Sequence, residues 1–510
     1  MARLLGPVLR LRGHDHRNNL WRISALVCVE AGDPKPTLSY SLGVGDRNIP
    51  CGQLWAIDGA ESYRFDLDVP LTDQPQVLRY RVSTGPEEWT VHVPGQNIQP
   101  LFAFGSCNGF SSLKLKKSID DSDALWKHMA LRHETIGYNA LLLGGDQVYS
   151  DAMWELITEL EDWNDRLWSD PLKGVVPEGL PEKLLNHFFM EMYCRRWSQR
   201  PVREVLARIP TIMMWDDHDI MDGWGSYKEE WAQSPVYRLI FSTASKCFEL
   251  FQLQSTMHDP VFIPDRAAGY SQLYYFSGVS LLIPDLRAER RLDQVISPTT
   301  WKAIYSKLES LSIDPDRALV PCRHLLVMSS IPVMHARFGQ IESILGWTPG
   351  QQELEDDLHD HWSSRPHRGE RLRLIHRLLE YSRKENVRVT ILSGDVHVAA
   401  HATIYSSREG EPSTKHTLVQ LTSSGIVHPA PPAIMRFALN TLFDDDEEID
   451  QGIIGRMEKM PGDERRYVAS RNWLSLERDD PQRSLGRLWA NWFAEEDVAH
   501  PFTRVIHPIG

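Results

Sequence analysis

Apolar residues in this chain gather in short runs, and the most telling runs end in polar blocks. Leu101–Phe104 leads into Gly105-Ser106-Cys107, and Ala140–Leu143 leads to Gly145-Asp146-Gln147-Val148-Tyr149. Ile209–Met214 leads into Trp215-Asp216-Asp217-His218-Asp219, and Val387–Leu392 leads to Gly394-Asp395-Val396-His397. Short, mostly apolar runs without strict alternation read as strands buried on both faces, the habit of parallel sheets. The four blocks are then expected just past strand ends, along one edge of a sheet, where open α/β sheets build their sites. Ser280–Pro284, Leu325–Met328 and Thr417–Leu421 are further runs of this kind.

The first 97 residues follow a different rule. Tyr63, Phe65, Leu67 and Val69 alternate with Arg64, Asp66 and Asp68, and Leu78, Tyr80 and Val82 alternate with Arg79 and Arg81. Trp89, Val91 and Val93 continue the pattern, and Gly32-Asp33-Pro34 and Gly85-Pro86 supply turns. A period of two with such turns predicts a small antiparallel β-sandwich over residues 1–97, with Pro94–Asn97 as linker to a larger α/β domain over 98–510. In that larger part Arg368–Lys384 is the clearest helix, with Leu372, Ile375, Leu378 and Leu379 on one stripe, feeding straight into Val387–Leu392. That is a β/α unit. A helical insertion over about 151–205 carries Trp154, Trp163, Trp168 and Trp197. Tryptophans there pack a local core or form a wall for an aromatic substrate.

Composition narrows the partners. The chain has 510 residues and a formal charge of −14, with no long basic tract and no basic, aromatic-lined groove in view. Nonspecific binding to nucleic acid is not expected. Six cysteines occur without a C-x-x-C pair, which argues against a disulfide framework or a zinc ribbon. Most are expected to be small buried residues, with Cys107 the exception. The start, Met1 to Arg10, breaks its apolar stretch with Pro7 and lacks a twin-arginine signal. No segment approaches the roughly 20 apolar residues of a membrane span, so the expected location is cytoplasmic. The run Asp444-Asp445-Asp446-Glu447-Glu448 lacks calcium-loop spacing and reads as a solvated loop.

Each block carries chemistry. Asp146 follows two glycines, which let the backbone turn sharply so that one carboxylate can serve two metal ions. Tyr149 falls three residues later and can present a phenolate on the same side. Three acids and an imidazole crowd into Asp216–Asp219, an arrangement that needs cations or arginines nearby. Asp395 and His397 sit two apart, on one side of an extended segment. His397 alone would read as a core histidine; beside Asp395 it reads as a ligand. After Ser280–Pro284 comes Asp285-Leu286-Arg287-Ala288-Glu289-Arg290. Arginines there make surface ion pairs or, at an active edge, grip phosphate oxygens in pairs. Ser329-Ser330 and Thr422–Gly425 also end strands and are candidates to line the site.

In this order, with Asp285-x-Arg287-x-x-Arg290 between the third and fourth blocks, the chain resembles the PhoD-type alkaline phosphatases of the calcineurin-like metallophosphatase superfamily. The resemblance runs from about residue 101 to 430, and an N-terminal β domain also fits the family's layout. The cysteine of Gly-Ser-Cys, the tyrosine of Gly-Asp-Gln-Val-Tyr and the doubled aspartate before His218 mark this branch. Most other members have Asp-x-His, Asn-His and Gly-His-x-His where Cys107, Asp217 and Asp395 stand here. The resemblance implies a two-layer sheet sandwich flanked by helices. It also implies a di- or trinuclear site bound by Cys107, Asp146, Tyr149, Asp217, Asp395 and His397. His218 would lie near the leaving group, and Arg287 and Arg290 near the phosphate.

Two or more metal ions are therefore expected. The thiolate and phenolate favour ferric iron, while Asp217 and Asp395 offer hard oxygens to calcium, with manganese or zinc as alternatives. The expected activity is hydrolysis of a small phosphate ester, mono- or diester, by metal-activated water. The competing reading is a metal-stabilised binding or scaffold protein that has lost turnover; the retained His218, Arg287 and Arg290 argue against it. A nuclease is disfavoured by the acidic charge.

Overall fold

Period-two alternation in the first hundred residues does produce antiparallel strands. The computed structural model describes residues 3–43, 45–57, 59–161, 180–255, 262–263, 269–310, 320–335, 362, 364, 366–408, 417–432, 440, 446–479 and 486–509. The chain begins with β1 (Arg3–Asp15), β2 (Leu20–Glu30), β3 (Leu38–Ser41), β4 (Arg47–Ile49), β5 (Cys51–Ile57), β6 (Ala60–Pro70), β7 (Gln76–Val82) and β8 (Glu88–Val93). β4, β3, β7 and β8 form a sheet of their own. β1, β2, β6 and β5 instead continue the central sheet, through a parallel pairing of Arg10 with Thr211. The Thr211 hydroxyl fastens that seam by donating to the Leu9 carbonyl at 2.7 Å.

The apolar runs become parallel strands as their composition dictates. β9 (Phe102–Gly105), β10 (Ala140–Gly144) and β11 (Thr211–Met214) lie side by side, every residue buried. Next come β12 (Phe262–Ile263), β13 (Ser271–Phe276), β14 (Val279–Ile283), β15 (His324–Ser329), β16 (Arg388–Ser393), β17 (Ala399–Ser406) and β18 (Leu418–Ser423). β19 (Glu447–Asp450), β20 (Ile453–Glu458) and β21 (Tyr467–Val468) complete the second sheet, in which β14, β15, β16 and β18 run parallel. β22 (Asn472–Arg478), β23 (Leu488–Ala494) and β24 (Phe502–Ile506) return to the first sheet, β22 pairing antiparallel with β9.

The expectation of a single sheet edge is thus corrected: three blocks end strands of the first sheet and the fourth ends β16 of the second. The two sheets stack as the resemblance implied. Along β10, Ala140 and Leu142 point into the core shared with Leu281, Val327, Ile391 and Leu421 of the second sheet. Leu141 and Leu143 point the other way, onto the helices Ala124–Ile136, Glu182–Trp197, Arg200–Leu206 and Pro235–Cys247. The outer face of the second sheet is covered by Arg368–Glu385, whose Leu374, Ile375, Leu378 and Leu379 are buried. Two-sided burial is why these strands lack polar alternation.

The insertion behaves partly as a local core: Trp197 is fully buried and Trp154 packs partly buried against the same cluster. Trp163 and Trp168 lie outside the described residues. The acidic run is not simply a solvated loop. Asp446 pairs with Arg456, and Glu447 opens β19 and accepts both Arg371 Nη atoms at 2.8 Å. Asp444 and Asp445 lie outside the described residues. All six cysteines are free thiols, and Cys51, Cys194 and Cys322 are only partly buried. Among the described residues, no helix is long and apolar enough to cross a membrane.

Polar ties hold the sheets in register at the end where the blocks emerge. Gln272 Nε2 donates to the Met213 carbonyl at 3.0 Å and Trp492 Nε1 to the Thr422 carbonyl at 2.9 Å. Asn472 on β22 accepts from Ser423 Oγ at 2.6 Å and donates to the Ser424 carbonyl at 2.8 Å. Asn472→Leu should leave those groups buried without partners and cost about 1–3 kcal/mol, read as a lower urea midpoint at unchanged slope. An unchanged midpoint would mean that these bonds do not hold the two sheets together.

Candidate metal centre

The loops that leave β9, β10 and β16 turn more sharply than an ordinary chain allows. Cys107, Asp146, Asp395 and His397 all have positive φ, at 58°, 55°, 68° and 54°. Left-handed backbone is unfavourable for non-glycine residues and persists where surrounding bonds over-determine it. Here Cys107 N donates to the Gly145 carbonyl at 3.1 Å, Asn108 N to that of Asp146 at 2.7 Å, and His397 N to Ser424 Oγ at 3.0 Å. The extended geometry expected for Asp395 and His397 is therefore replaced by a tight loop. Gly145 is obligatory: its φ is 104°, and a Cβ there would stand 2.7 Å from Asp216 Cβ.

Six of the nine site residues expected from the sequence converge as side chains. Asp146, Asp217 and His218 each offer a ligand atom within 4.8 Å of the others. Cys107 Sγ lies 3.5 Å from Asp146 Oδ2 and 3.1 Å from Ser424 Oγ. The Tyr149 phenol faces that thiol without a well-formed hydrogen bond, and its ring stacks on His218 at 4.3 Å. His397 joins through His428, whose ring stacks on it at 3.7 Å and on Tyr149 at 5.6 Å. Asp395 brings its carbonyl oxygen to 3.9 Å from Cys107 Sγ.

The arginines are placed differently. Arg287 is fully buried; its Nε donates to Asp216, its Nη2 to Asp217 at 3.2 Å and its Nη1 to the Trp224 carbonyl at 3.0 Å. The paired grip on phosphate expected of it would take the guanidinium off both carboxylates, so here its charge is committed to the acidic loop. Arg290 is also buried, packed on Gly225 and 3.4 Å from His367 Nδ1. Of the serines expected to line the site, Ser330 donates to Asp216 at 2.9 Å and Ser424 touches Cys107.

Three functional residues were not singled out by the sequence reading. Asp219 is the first: Oδ2 accepts from Asp146 N and Asp216 N at 2.9 Å, and Oδ1 from Gln147 N at 3.0 Å, Val148 N at 3.2 Å and Gln252 Nε2 at 3.0 Å. Asp151 holds His218 Nδ1 at 2.7 Å. His428 is the third, wedged between Tyr149 and His397. Position gave a signal for two of them, since Asp151 follows Tyr149 by two and His428 follows the end of β18 by five.

Electrostatics show what the cluster lacks. Burial, and then the charge of Asp146, pushes the Cys107 thiol well above its ordinary value. Burial followed by Cys107 and Asp146 does the same to the Tyr149 phenol. Asp146 is raised by burial, partly relieved by His218 and reinforced by Asp216, Asp217 and Asp219. Burial, then His428 and His218, hold His397 well below its ordinary value and keep it neutral. Asp146 Oδ1, Tyr149 Oη and His397 Nε2 are buried with no hydrogen-bond partner among the described residues. Buried donors and acceptors are almost always satisfied. A bound cation meets all of these demands together, since it stabilises thiolate, phenolate and carboxylate and binds neutral imidazole. The donor set fits metal ions.

Comparison with known proteins gives the same direction. A family described as PhoD related phosphatase matches residues 96–351 and 343–446. An uncharacterized protein of Saccharomyces cerevisiae is 26% identical across an alignment of 577 positions, covering 93% of this chain and 81% of that protein. A solved structure of PhoD covers 98% of this chain and 88% of its own, with a TM-score of 0.59 and 12% identity, which speaks for the fold alone. A dimetal phosphatase from Danio rerio aligns over 80% of this chain and 100% of its own, with 10% identity and a TM-score of 0.34 that carries no argument.

Asp219 offers a test of how the site is held. In Asp219→Asn one carboxylate oxygen becomes an amide donor facing backbone N–H groups. The variant should lose at least about 2 kcal/mol of stability and most of its bound metal. Wild-type metal content and unfolding midpoint in that variant would show that the loops hold themselves.

Proposed function

The chain belongs to the PhoD related phosphatase family, and on that footing we propose that it hydrolyses phosphate mono- or diesters at a centre of two or more metal ions. The ions would be held by Cys107, Asp146, Tyr149, Asp217, Asp395 and His397. What supports this most is the set of buried donor atoms that no group among the described residues satisfies, Asp146 Oδ1, Tyr149 Oη and His397 Nε2. When bound, the ions supply Lewis acidity toward the phosphoryl oxygens and an activated water for in-line attack. Cys107 and Tyr149 suit ferric iron, and the carboxylates of Asp217 and Asp395 suit calcium, manganese or zinc.

The chain's own groups divide the remaining work. Asp146 has one oxygen toward Cys107 and the other unsatisfied, so it would be the residue to serve two ions at once. His218 is the proton donor. Burial alone would lower its pKa, but Asp151, Asp217 and Asp146 outweigh burial and hold it well above the ordinary value. Anchored through Nδ1 to Asp151, it presents Nε2 to the departing oxygen. The ester P–O bond breaks as the bond from water oxygen to phosphorus forms. The leaving oxygen takes the His218 proton, and the imidazole regains one from solvent. Arg287 restrains Asp216 and Asp217 against their mutual repulsion, and Arg290 keeps the phosphate contact that the family resemblance implies.

Three substitutions test these roles with p-nitrophenyl and alkyl phosphates, mono- and diester, after metal reconstitution. Asp146→Asn should lose activity at least about a hundredfold together with bound metal, because one carboxylate serves two ions. Full activity at unchanged stoichiometry would remove Asp146 from the centre. His218→Ala should keep its metal and lose about 10²–10⁴-fold on alkyl esters but much less on aryl esters, which need little protonation. Equal losses would reject the acid role. Metal-replete protein should absorb in the visible through charge transfer to iron, and Cys107→Ser should shift or abolish the band. A colourless, iron-free protein fully active with zinc or manganese would reject iron. Bound metal without turnover on any ester would favour the scaffold reading.

A further inference from the structure

Beside the metal centre lies a cavity of about 240 Å³ that the proposed chemistry does not use. Its walls are continuations of the ligand-bearing loops: Asn108–Ser112 follows Cys107, and Tyr149 begins the segment that runs to Leu156. The third wall is the helix Glu182–Trp197. That helix turns Leu185, Phe189 and Tyr193 into the core, while Phe188 and Met192, one turn apart, are only half-buried and face the cavity. Phe110, Val148 and Leu156 complete an apolar lining.

Most polar groups at the cavity are already engaged, Ser111 by His428, Ser112 by the Leu115 amide and Gln199 by Arg196 among them. Asn108 Oδ1 accepts from Trp126 Nε1 at 2.9 Å and from Arg196 Nη2 at 2.7 Å. Arg196 also pairs with Asp123 at 2.9 Å, and Arg195 with Glu191 at 3.1 Å. Lys116 and Glu155 stand exposed at the rim. Because carbon makes up most of the accessible lining, an apolar group gains by leaving water here. The link to catalysis runs through two lining residues: Tyr149 stacks on His218, and Asp151 holds the Nδ1 of the same ring. A group departing past His218 therefore finds this cavity next to it.

We propose that this cavity binds the organic group of the phosphate ester, and that the preferred group is apolar and about the size of one substituted aromatic ring or a short alkyl chain. A cavity of about 150 Å³ is enough for benzene, so this one admits a ring with a substituent and little more. The inference rests on the phosphatase reading and names its substrate class.

Phosphonates test it without the complication of leaving-group chemistry, because their P–C bond is not cleaved. Methyl-, hexyl- and phenylphosphonate are titrated calorimetrically into metal-replete protein. Hexyl- and phenylphosphonate should bind at least about tenfold more tightly than methylphosphonate, since each buried methylene is worth about fourfold. Leu156 is 65% exposed, so Leu156→Asp should fold normally, and Met192→Glu places a charge on the opposite wall. Both should erase the advantage of the larger phosphonates while leaving methylphosphonate affinity and metal content unchanged. Equal affinity for all three phosphonates in the wild-type protein, or an advantage that survives both substitutions, would overturn the pocket and leave the phosphatase reading standing. Binding of no phosphonate together with no turnover would overturn both.

Discussion

One carboxylate organises the centre. Asp219 gathers backbone N–H groups from the loop after β10 and the loop after β11, so Asp146 and Asp217 cannot move independently. It is buried, and burial wins over the Asp216 and Val148 amides to leave its carboxyl raised to about 7. An acceptor surrounded by donors suits the ionised form, and that charge adds to those of Asp146, Asp216 and Asp217. Arg287 offsets part of this charge by binding Asp216 and Asp217, and His218 offsets more. The rest is a standing demand for cations. The acidic loop is thus assembled by hydrogen bonds that leave it net negative.

The second constraint is the seam between the sheets. Asp146 and Asp217 come from the first sheet and His397 from the second, so the cluster exists only while β10 and β16 keep their relative depth. Asn472, Gln272 and Trp492 fix that depth with polar bonds in a core that is otherwise apolar and indifferent to sliding. Left-handed backbone at Cys107, Asp146, Asp395 and His397 then sets where each side chain points. Precision is built from the backbone, and the orphaned donor atoms leave a place that bound cations would complete.

Much of this was legible in the chain because burial writes a local signature. Short, mostly apolar runs gave β9, β10, β11 and β16 to within two residues, and period-two alternation gave β6, β7 and β8. Strand partnership is non-local and leaves no such mark. Nothing in Val387–Leu392 distinguishes a strand of the second sheet from its look-alikes in the first, nor does Arg3–Asp15 announce its pairing with β11. Side-chain partnership fails for the same reason. Arg287 reads as a phosphate ligand by its distance from a strand end, and only the fold reveals that Asp216 and Asp217 reach it first. Asp219 was hidden among its neighbours: three acids within four residues look alike in sequence, and only the fold shows which of them turns inward to hold the loop.

Anomalous diffraction from crystals of metal-replete protein tests the account most directly. Data collected on both sides of the iron edge should show at least two ions sharing the Asp146 carboxylate, with the iron signal against Cys107 and Tyr149 and another ion toward Asp217. A protein that hydrolyses phosphate esters with no ion within bonding distance of Asp146 would contradict the account at its centre.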